Sequence, residues 1–420
     1  MDATTRHTAL GRLVPALLVS HVGYYIAVIT PVQLLLTLKL TAIAGGAATG
    51  VFGVVAGLGA LAALISHPIA GRISDRTGSR FGRRRVWILA GAITGAAALA
   101  LVGLSTTVWQ VALLWCAAQT LLTLQAAATS AVVADQVPAD RRGGVSGLIG
   151  MTLAVGPLAG LALANGFPAG SAAQWTAVAV ATAIAGVVTV LLLRDAPAQV
   201  VAEPWGVPAL VRTFWIDPRR YPAFGWACLV RLLVTCAFAG NTYYAFYLLQ
   251  RFGVTQERLG PLVLRLTLLS IVMIAVTSVV VGHLSDVTGR QKPFVVFTVL
   301  VGAVGLVTLA VAPSLPYVFV SAALLGTGTG AFVAVDLAMC VRLLPSGIDA
   351  GRDMAIAGTA GSLPQSLVPF LAPPLLALGG YPALFLSLAV LGLLGLAALR
   401  RVPEAGRERE APAALADRPV

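Results

Sequence analysis

The chain is divided into long apolar runs, with its charged residues collected in the short gaps between them. A helix needs about 20 apolar residues to cross a bilayer core, and twelve runs meet that length. They are 13–38, 47–70, 86–107, 109–134, 144–164, 174–193, 223–250, 260–282, 294–312, 316–341, 355–378 and 381–399. Only 10% of the residues are charged, whereas soluble domains have about a quarter. The sequence therefore predicts an all-α membrane protein with twelve transmembrane helices.

One short motif occurs twice, at the same place in each half of the chain. Gly71-Arg-Ile-Ser-Asp75-Arg-Thr-Gly78 ends the second apolar run, and Gly282-His-Leu-Ser-Asp286-Val-Thr-Gly289 ends the eighth. A repeated joint of this kind indicates an internal duplication, which is typical of membrane folds with a solute site between related repeats. We therefore expect two pseudo-symmetric six-helix bundles.

The stretch between the sixth and seventh runs differs in composition from its neighbours, because it is rich in proline, arginine and acids. The predicted domains are an N-terminal bundle over 1–193, a cytoplasmic linker over 194–222 and a C-terminal bundle over 223–399. The charged segment 400–420 is predicted to be a disordered cytoplasmic tail. Within the linker, residues 209–216 are expected to form a short helix at the membrane surface.

The basic residues lie almost entirely on one predicted side of the membrane. The termini, the linker and the loops after even-numbered runs hold most of the 28 Lys and Arg residues, whereas the opposite loops hold Lys39, Arg251 and Arg258. Short loops rich in Lys and Arg stay in the cytoplasm. We expect a multi-pass plasma-membrane protein with both termini cytoplasmic. Because these cations flank apolar runs, the expected partner of the positive charge is the lipid bilayer, and no nucleic acid is expected.

The first motif copy and the basic run behind it resemble the signature loop of the major facilitator superfamily. From Pro68 to Arg85 the sequence resembles one branch, the glycoside–pentoside–hexuronide cation symporters and the plant sucrose–proton symporters. The resemblance implies two bundles around a central cavity, alternating access to a small-molecule solute, and a chain that functions as a monomer. It also implies a cytoplasmic latch at the motif. Its candidate residues are Gly71, Asp75, Arg76, Gly78, Arg80, Gly282, Asp286 and Gly289.

Each motif residue type has a physical reason to be there. Gly71 lets a neighbouring helix approach closely, Gly78 permits a tight reversal, and Asp75 can pair with arginines at a helix end. The alternative is that both loops serve only as turns and topology anchors. That alternative is favoured for Arg83–Arg85, which positive-inside retention explains. An acid in a basic loop does not serve topology, so Asp75 is interpreted as part of a gate.

Three charged residues lie inside predicted spans of the second half. One of them, Arg265, is near the outer end of its span, where its side chain can extend to the headgroups. The other two lie deeper. Arg231 lies in the seventh run and Asp336 in the tenth, at similar depth. Charges at membrane depth cost at least about 2.5–3.5 kcal/mol each, so they mark function by default. We hypothesise that the two pair, and that the pair couples to a proton or contacts the solute. The alternative is a fixed structural ion pair.

Polar residues recur along the first, fourth and seventh runs. The candidates for lining a cavity are His21, Tyr24, Gln119 and Asn241. Amides, hydroxyls and aromatic faces suit a polar neutral solute such as a sugar, although hydrogen bonding between helices explains the same residues. His21 is also a candidate for titration near neutral pH. The second run has no acid at all, so the helix-2 aspartates that bind the cation in melibiose-type symporters, which the resemblance would imply, have no counterpart. A proton is therefore expected as the coupling ion rather than sodium.

The predicted function is secondary active transport, with proton-coupled symport of a sugar or sugar-like solute favoured. Gly156-Pro157-Leu-Ala-Gly160 partly resembles a motif of drug–proton antiporters, so efflux of amphipathic compounds is the alternative. No nucleophile, phosphate loop or metal-ligand cluster occurs in the sequence. No cofactor or metal is therefore expected, and a membrane enzyme or sensor is a remote third alternative.

Overall fold

The computed structural model describes residues 8–79, 81–195, 221–343 and 350–402, and these ranges are almost entirely helical. In chain order the helices are α1 (Leu10–Thr30), α2 (Leu36–Ala44), α3 (Ala48–Arg76), α4 (Arg83–Leu104), α5 (Val108–Gln136), α6 (Arg142–Asn165), α7 (Ala172–Leu192), α8 (Pro222–Phe238), α9 (Tyr244–Phe252), α10 (Gln256–Thr288), α11 (Lys292–Ala310), α12 (Leu315–Arg342), α13 (Ala350–Ser362) and α14 (Pro364–Leu399). A π-helical turn, Pro31–Leu35, joins α1 to α2, and a 3-10 turn, Ala239–Tyr243, joins α8 to α9.

Within the described residues, ten helical stretches are long and apolar enough to cross a membrane. Two of them turn back on themselves. The stretch Leu10–Arg76 has 67 residues, about 100 Å of helix against a core of about 30 Å, and it reverses at Gly45, whose φ is 53°. The stretch Ile356–Leu399 breaks at Gly379 and Gly380, which have non-helical dihedrals. The ten stretches therefore account for the twelve predicted spans, and the all-α membrane fold is confirmed.

The loop between the third and fourth spans is the shortest predicted gap, and a capping box explains why the helix restarts there. The Thr107 side chain accepts from the backbone of Gln110, and the Gln110 side chain accepts from the backbone N–H of Thr107. These two reciprocal bonds satisfy N–H groups that the first helical turn leaves without partners. The box fixes the start of α5 at Val108.

The described residues divide into two compact units, which do not coincide with the two halves of the sequence. The first unit comprises the described parts of Met1–Gly206, Asn241–Leu268 and Gln365–Ala377, and the second comprises those of Val207–Gly240, Leu269–Pro364 and Leu378–Val420. In the first unit, α1 packs against α6 and α7, while α5 packs against α3 and α4. In the second unit, α11 packs against α12, and α13 packs against α8. The division into two six-helix bundles remains a prediction.

Small residues allow close helix packing in the first unit. A methyl group placed on Gly156 would lie 2.5 Å from Tyr25 Cβ, and one on Gly160 would collide with the Thr30 side chain. Both glycines therefore seat α6 on α1, which is the general use of small residues between membrane helices. Helix packing thus accounts for the glycines of the partial antiporter motif.

Several predicted features lie outside the described residues. These are Arg80, the surface helix over 209–216, most of the linker, and the tail from 403 onward. In the description below, the terminal side of the first unit is the side where Thr8 and Arg194 lie. The far side is the opposite side, where the reversal at Gly45 lies.

Candidate functional site

The first motif copy lies on the terminal side, where α3 ends and α4 begins, and a buried arginine is at its centre. Arg84 is only 4% exposed. Its Nη2 lies 2.6 Å from Asp75 Oδ1, and its Nη1 donates to Ser74 Oγ at 2.9 Å. Its Nε donates to Asp135 Oδ2 at 2.9 Å. One guanidinium therefore joins the end of α3 to the end of α5, which a planar fork of donors can do and a lysine cannot.

The neighbouring arginines have different roles in the structure. Arg83 lies nearer the surface and makes one ion pair, with Asp135 at 3.0 Å. Arg85 donates through Nη2 to Val190 O at 2.9 Å, which ties α4 to α7. From the sequence, all three arginines are interpreted as topology anchors. A run of three identical residues does not show which one is buried.

A third acid, Asp195, caps the start of α4. Its Oδ2 accepts from the backbone N–H of Arg84 at 2.5 Å and from that of Arg85 at 3.3 Å. Gly82, just before α4, has a φ of 100°. A methyl group on Gly82 would lie 2.6 Å from Asp195 Cβ. An acid at a helix N-terminus is stabilised by the free N–H groups and by the helix dipole. Sequence reasoning missed this contact, because Asp195 is more than a hundred residues away from α4.

Three chain segments meet beside this network. Thr8 Oγ1 donates to Arg194 O at 3.0 Å and accepts from Arg194 N at 2.8 Å. Gln136 Oε1 accepts from Thr8 N at 3.1 Å, and Gln136 Nε2 donates to Arg194 O at 2.9 Å. These bonds join the segment before α1, the last residue of α5 and the chain just after α7.

The second motif copy, in the second unit, has fewer contacts. Asp286 is exposed and makes no ion pair with a described residue. Gly289 has a φ of 63°, which suits the reversal after α10. A methyl group on Gly282 would have only Ala334 Cβ nearby, at 3.9 Å. Likewise, Gly71 in the first copy has open space around it, so close approach of another helix is not the reason for either glycine here.

The other first-copy candidates lie at the exposed end of α3 and in the loop after it. Asp75 is exposed apart from its bond to Arg84, with 57% of its side chain accessible. Arg76 is the exposed last residue of α3, and Gly78 is exposed in the loop that follows.

The predicted pair of charges in the second unit is present. Arg231 Nη1 on α8 lies 3.3 Å from Asp336 Oδ2 on α12. The same nitrogen donates to Cys340 Sγ at 3.7 Å. The Asp336 side chain is 10% exposed, and its other oxygen, Oδ1, is buried with no hydrogen-bond partner among the described residues. One oxygen of this carboxylate is therefore paired and the other is available.

Polar side chains of α1 and α5 face each other inside the first unit. Ser20 Oγ lies 2.8 Å from Thr129 Oγ1, and Tyr24 is hydrogen-bonded to Thr123. Gln119 is buried, and its Oε1 has no partner among the described residues. His21 is also buried, with Nδ1 2.8 Å from Leu17 O in the preceding turn. The structure thus brings Tyr24 next to the helix that carries Gln119, while His21 bonds within its own helix.

The first and seventh spans both lose regular α-helix partway along. The π-helical turn Pro31–Leu35 and the 3-10 turn Ala239–Tyr243 have five residues each, and they interrupt the first span of each half. Asn241 lies in the second turn and is exposed. Interrupted helices at corresponding positions of two repeats point to a binding site, because their backbone groups are not all used within the helix. Sequence reasoning chose Asn241 without detecting the interruption around it.

On the far side, segments from both halves of the sequence are in contact within the first unit. Gln250 Nε2 donates to Thr49 Oγ1 at 2.8 Å, and Thr267 Oγ1 donates to Gln33 Oε1 at 3.4 Å. A methyl group on Gly53 would lie 2.7 Å from Pro373 Cγ on α14. The far ends of α9, α10 and α14 are therefore closed against helices of the first half.

A proline leaves one backbone acceptor free in this closure. Pro373 has no N–H, so the carbonyl of Pro369, four residues earlier in α14, lacks its helical donor. Tyr243 supplies a replacement, because its hydroxyl donates to Pro369 O at 3.3 Å.

Comparison with known proteins gives one family and a set of similar folds. The sequence matches the model of the Major Facilitator Superfamily over residues 13–275 and 262–420. No curated protein matches the chain in sequence. The fold is similar to crystal structures of a D-xylose-proton symporter (17% identity, 94% of this chain and 98% of that chain, TM-score 0.66) and the nucleoside transporter NupG (13% identity, 93% and 100%, TM-score 0.71). It is also similar to the human organic anion transporter MFSD10 (18% identity, 93% and 99%, TM-score 0.64).

Proposed function

The chain belongs to the Major Facilitator Superfamily, and from that premise we propose that it imports a sugar or sugar-like solute together with protons. Members move small solutes by alternating access, so the chain is a transporter and not an enzyme. The resemblance to the sucrose–proton branch, and protons as the coupling ion, belong to the proposal. So does the location in the plasma membrane with both termini in the cytoplasm, which the distribution of Lys and Arg supports.

The observation that carries the proposal is the state of Asp336. A carboxylate that is nine-tenths buried at membrane depth, paired through one oxygen and free at the other, can accept a proton without breaking its contact with Arg231. Charged groups at this depth mark ion and proton paths. The fold similarity to a D-xylose-proton symporter agrees with this reading but does not carry it.

The solute class is proposed from the polar groups on the first and seventh spans and their neighbours. Tyr24, Gln119 and Asn241 offer a hydroxyl and two amides, and the described residues of α1 and α5 contribute no charge near them. Such groups can hydrogen-bond the hydroxyls of a neutral sugar. The efflux alternative rested on the largely apolar spans and mainly on the partial motif in α6. Helix packing explains the glycines of that motif, so import is preferred.

The terminal-side network is proposed to be the cytoplasmic latch that the motif predicts. Arg84 connects α3 to α5 through Asp75 and Asp135. Charge-assisted bonds that form in one state and break in another give a two-state switch. The latch residues proposed from the sequence are retained, and Arg84, Asp135 and Asp195 are added to them.

The function is tested with purified protein in proteoliposomes that contain a pH-sensitive dye. Mono- and disaccharides are added outside one at a time. We expect one of them to acidify the interior. If none does, while cationic or amphipathic drugs drive proton exchange across an imposed gradient, the protein is an exporter and the import proposal is wrong.

Replacing the Arg231–Asp336 pair should separate coupling from solute binding. Asp336→Asn removes the proton acceptor, so we expect sugar-driven acidification to fall at least about tenfold, while exchange of labelled sugar across the membrane continues. Arg231→Ala leaves a buried unpaired carboxylate, which costs about 3–5 kcal/mol, so it should lower stability more than Asp336→Asn does. The double variant Arg231→Ala/Asp336→Asn is the control. Normal coupled transport by that double variant would show that the pair is only structural.

A further inference from the structure

The guanidinium of Arg231 lies against a glycine on a third helix. Gly361 is in the last turn of α13. A methyl group at Gly361 would lie 2.7 Å from Arg231 Nε, 3.1 Å from Nη2 and 3.3 Å from Cζ. All three atoms belong to the planar end of the arginine. The space that a side chain at position 361 would fill is therefore already occupied by the guanidinium.

The two edges of this guanidinium face different helices. Its Nη1 faces α12, where Asp336 Oδ2 is at 3.3 Å and Cys340 Sγ at 3.7 Å. Its Nε and Nη2 face Gly361 on α13. The guanidinium thus lies between α12 and α13, in contact with both. Because the space is already filled, a methyl group cannot be added at position 361 without displacing the Arg231 guanidinium.

We infer that Gly361 is a positioning residue for the Arg231–Asp336 pair, because its missing side chain is what lets the arginine reach the carboxylate. If the pair couples transport to protons, Gly361 is also needed for proton coupling, and this consequence alone rests on the proposed function. The geometric part stands independently of what the protein transports.

A second glycine of the same helix provides a matched control. Gly358 lies three residues before Gly361 in α13, is exposed, and has no atom within 4 Å of the place where a methyl group would be. Alanine normally stabilises a helix relative to glycine. The two Gly→Ala changes should therefore have opposite effects on stability, although they are chemically the same.

The experiment measures the unfolding temperature of the full-length protein in detergent. We expect Gly358→Ala to leave the unfolding temperature unchanged or to raise it, and Gly361→Ala to lower it by about 2–4 °C. In a protein that also carries Arg231→Ala, the guanidinium no longer fills the space beside position 361, so Gly361→Ala should no longer lower the temperature. If Arg231→Ala does not yield folded protein, Arg231→Ala/Asp336→Asn, which removes both charges, serves as the background.

Two results would overturn the inference. One is an unfolding temperature that rises in Gly361→Ala as it does in Gly358→Ala. The other is a lowering of the unfolding temperature by Gly361→Ala that persists after the arginine has been removed. A general packing role would lower the temperature with or without Arg231, whereas a positioning role requires Arg231 to be present.

Proton coupling is measured on the same variants to separate this inference from the proposed function. If the stability results are as expected and Gly361→Ala also loses sugar-driven acidification, both are supported. If the stability results are as expected but coupling is normal, Gly361 still positions the pair, and the coupling role proposed for the pair is wrong.

Discussion

Replacing Gly53 with valine is expected to lower the transport rate at least about fivefold, whereas the same change at Gly50 should leave it nearly normal. Both glycines are in the first turns of α3. A methyl group on Gly53 would collide with the carbonyl oxygen of Pro369 and lie 2.7 Å from Pro373 Cγ, whereas one on Gly50 would meet no atom within 4 Å. The difference between the two positions is the contact with α14.

The expected size of the effect follows from what the side chain would meet. A backbone oxygen and a proline ring cannot rotate away as a flexible side chain can. Overpacking of this kind costs about 1–3 kcal/mol, which lowers the population of the closed far side about fivefold to more than a hundredfold. A transporter that cannot close one side cannot complete its cycle, so the transport rate should fall by a similar factor.

The measurement combines transport with thiol labelling. Asn241→Cys is introduced into a protein whose four native cysteines, Cys116, Cys228, Cys236 and Cys340, have been replaced by serine. A membrane-impermeant maleimide added outside should label it faster in the presence of Gly53→Val than in the presence of Gly50→Val. Equal labelling rates and equal transport rates in the Gly53→Val and Gly50→Val variants would show that the contact between α3 and α14 does not control access from outside to position 241.

Replacing Arg84 with alanine should damage the protein far more than replacing Arg83. Arg84 is buried and is bonded to Asp75, Ser74 and Asp135, whereas the side chain of Arg83 is 25% exposed and has a single ion pair. Removing Arg84 leaves the Ser74 hydroxyl, which is 1% exposed, without its donor, and an unsatisfied buried group costs about 1–3 kcal/mol. It also removes both ion pairs that join α3 to α5, whereas Arg83 contributes one exposed ion pair, worth less than about 1 kcal/mol. We expect Arg84→Ala to reduce transport at least about tenfold and Arg83→Ala less than about twofold.

Arg84→Lys tests whether the geometry or the charge matters. A lysine has one charged nitrogen and cannot reach three acceptors on two helices. Its transport rate should therefore lie between those of the unchanged protein and Arg84→Ala. Rates and unfolding temperatures are compared at equal amounts of protein in the membrane. Equal losses in Arg83→Ala and Arg84→Ala would contradict a specific role for Arg84 in the latch.

The spans could be predicted from the sequence because the bilayer imposes a length and a composition on each of them. The pairing of Arg231 with Asp336 could be predicted for a similar reason. Two opposite charges at membrane depth have few ways to be satisfied other than by each other. The bilayer constrains the length and composition of each span, and it constrains each charged residue at membrane depth to find a partner. Both constraints can be applied without knowing the rest of the fold.

The parts that could not be predicted depend on contacts between distant segments. Arg83, Arg84 and Arg85 are alike in sequence, and the positions of Asp135 and Asp195 decide which of them is buried. The turns at Pro31–Leu35 and Ala239–Tyr243 occur inside long, predominantly apolar runs, so average hydropathy does not reveal them. Gly361 would be interpreted as an ordinary helix glycine without the arginine beside it.

The bonds among Thr8, Gln136 and Arg194 have a consequence for the order of assembly during synthesis. Arg194 follows the sixth span, so Thr8 lacks its two bonds to Arg194 until nearly two hundred residues have left the ribosome, although Gln136 is made earlier. Asp195, which caps α4, emerges one residue later. Spans three and four must therefore remain in the membrane with their terminal-side ends incompletely bonded until Arg194 and Asp195, the first two residues of the linker, complete them.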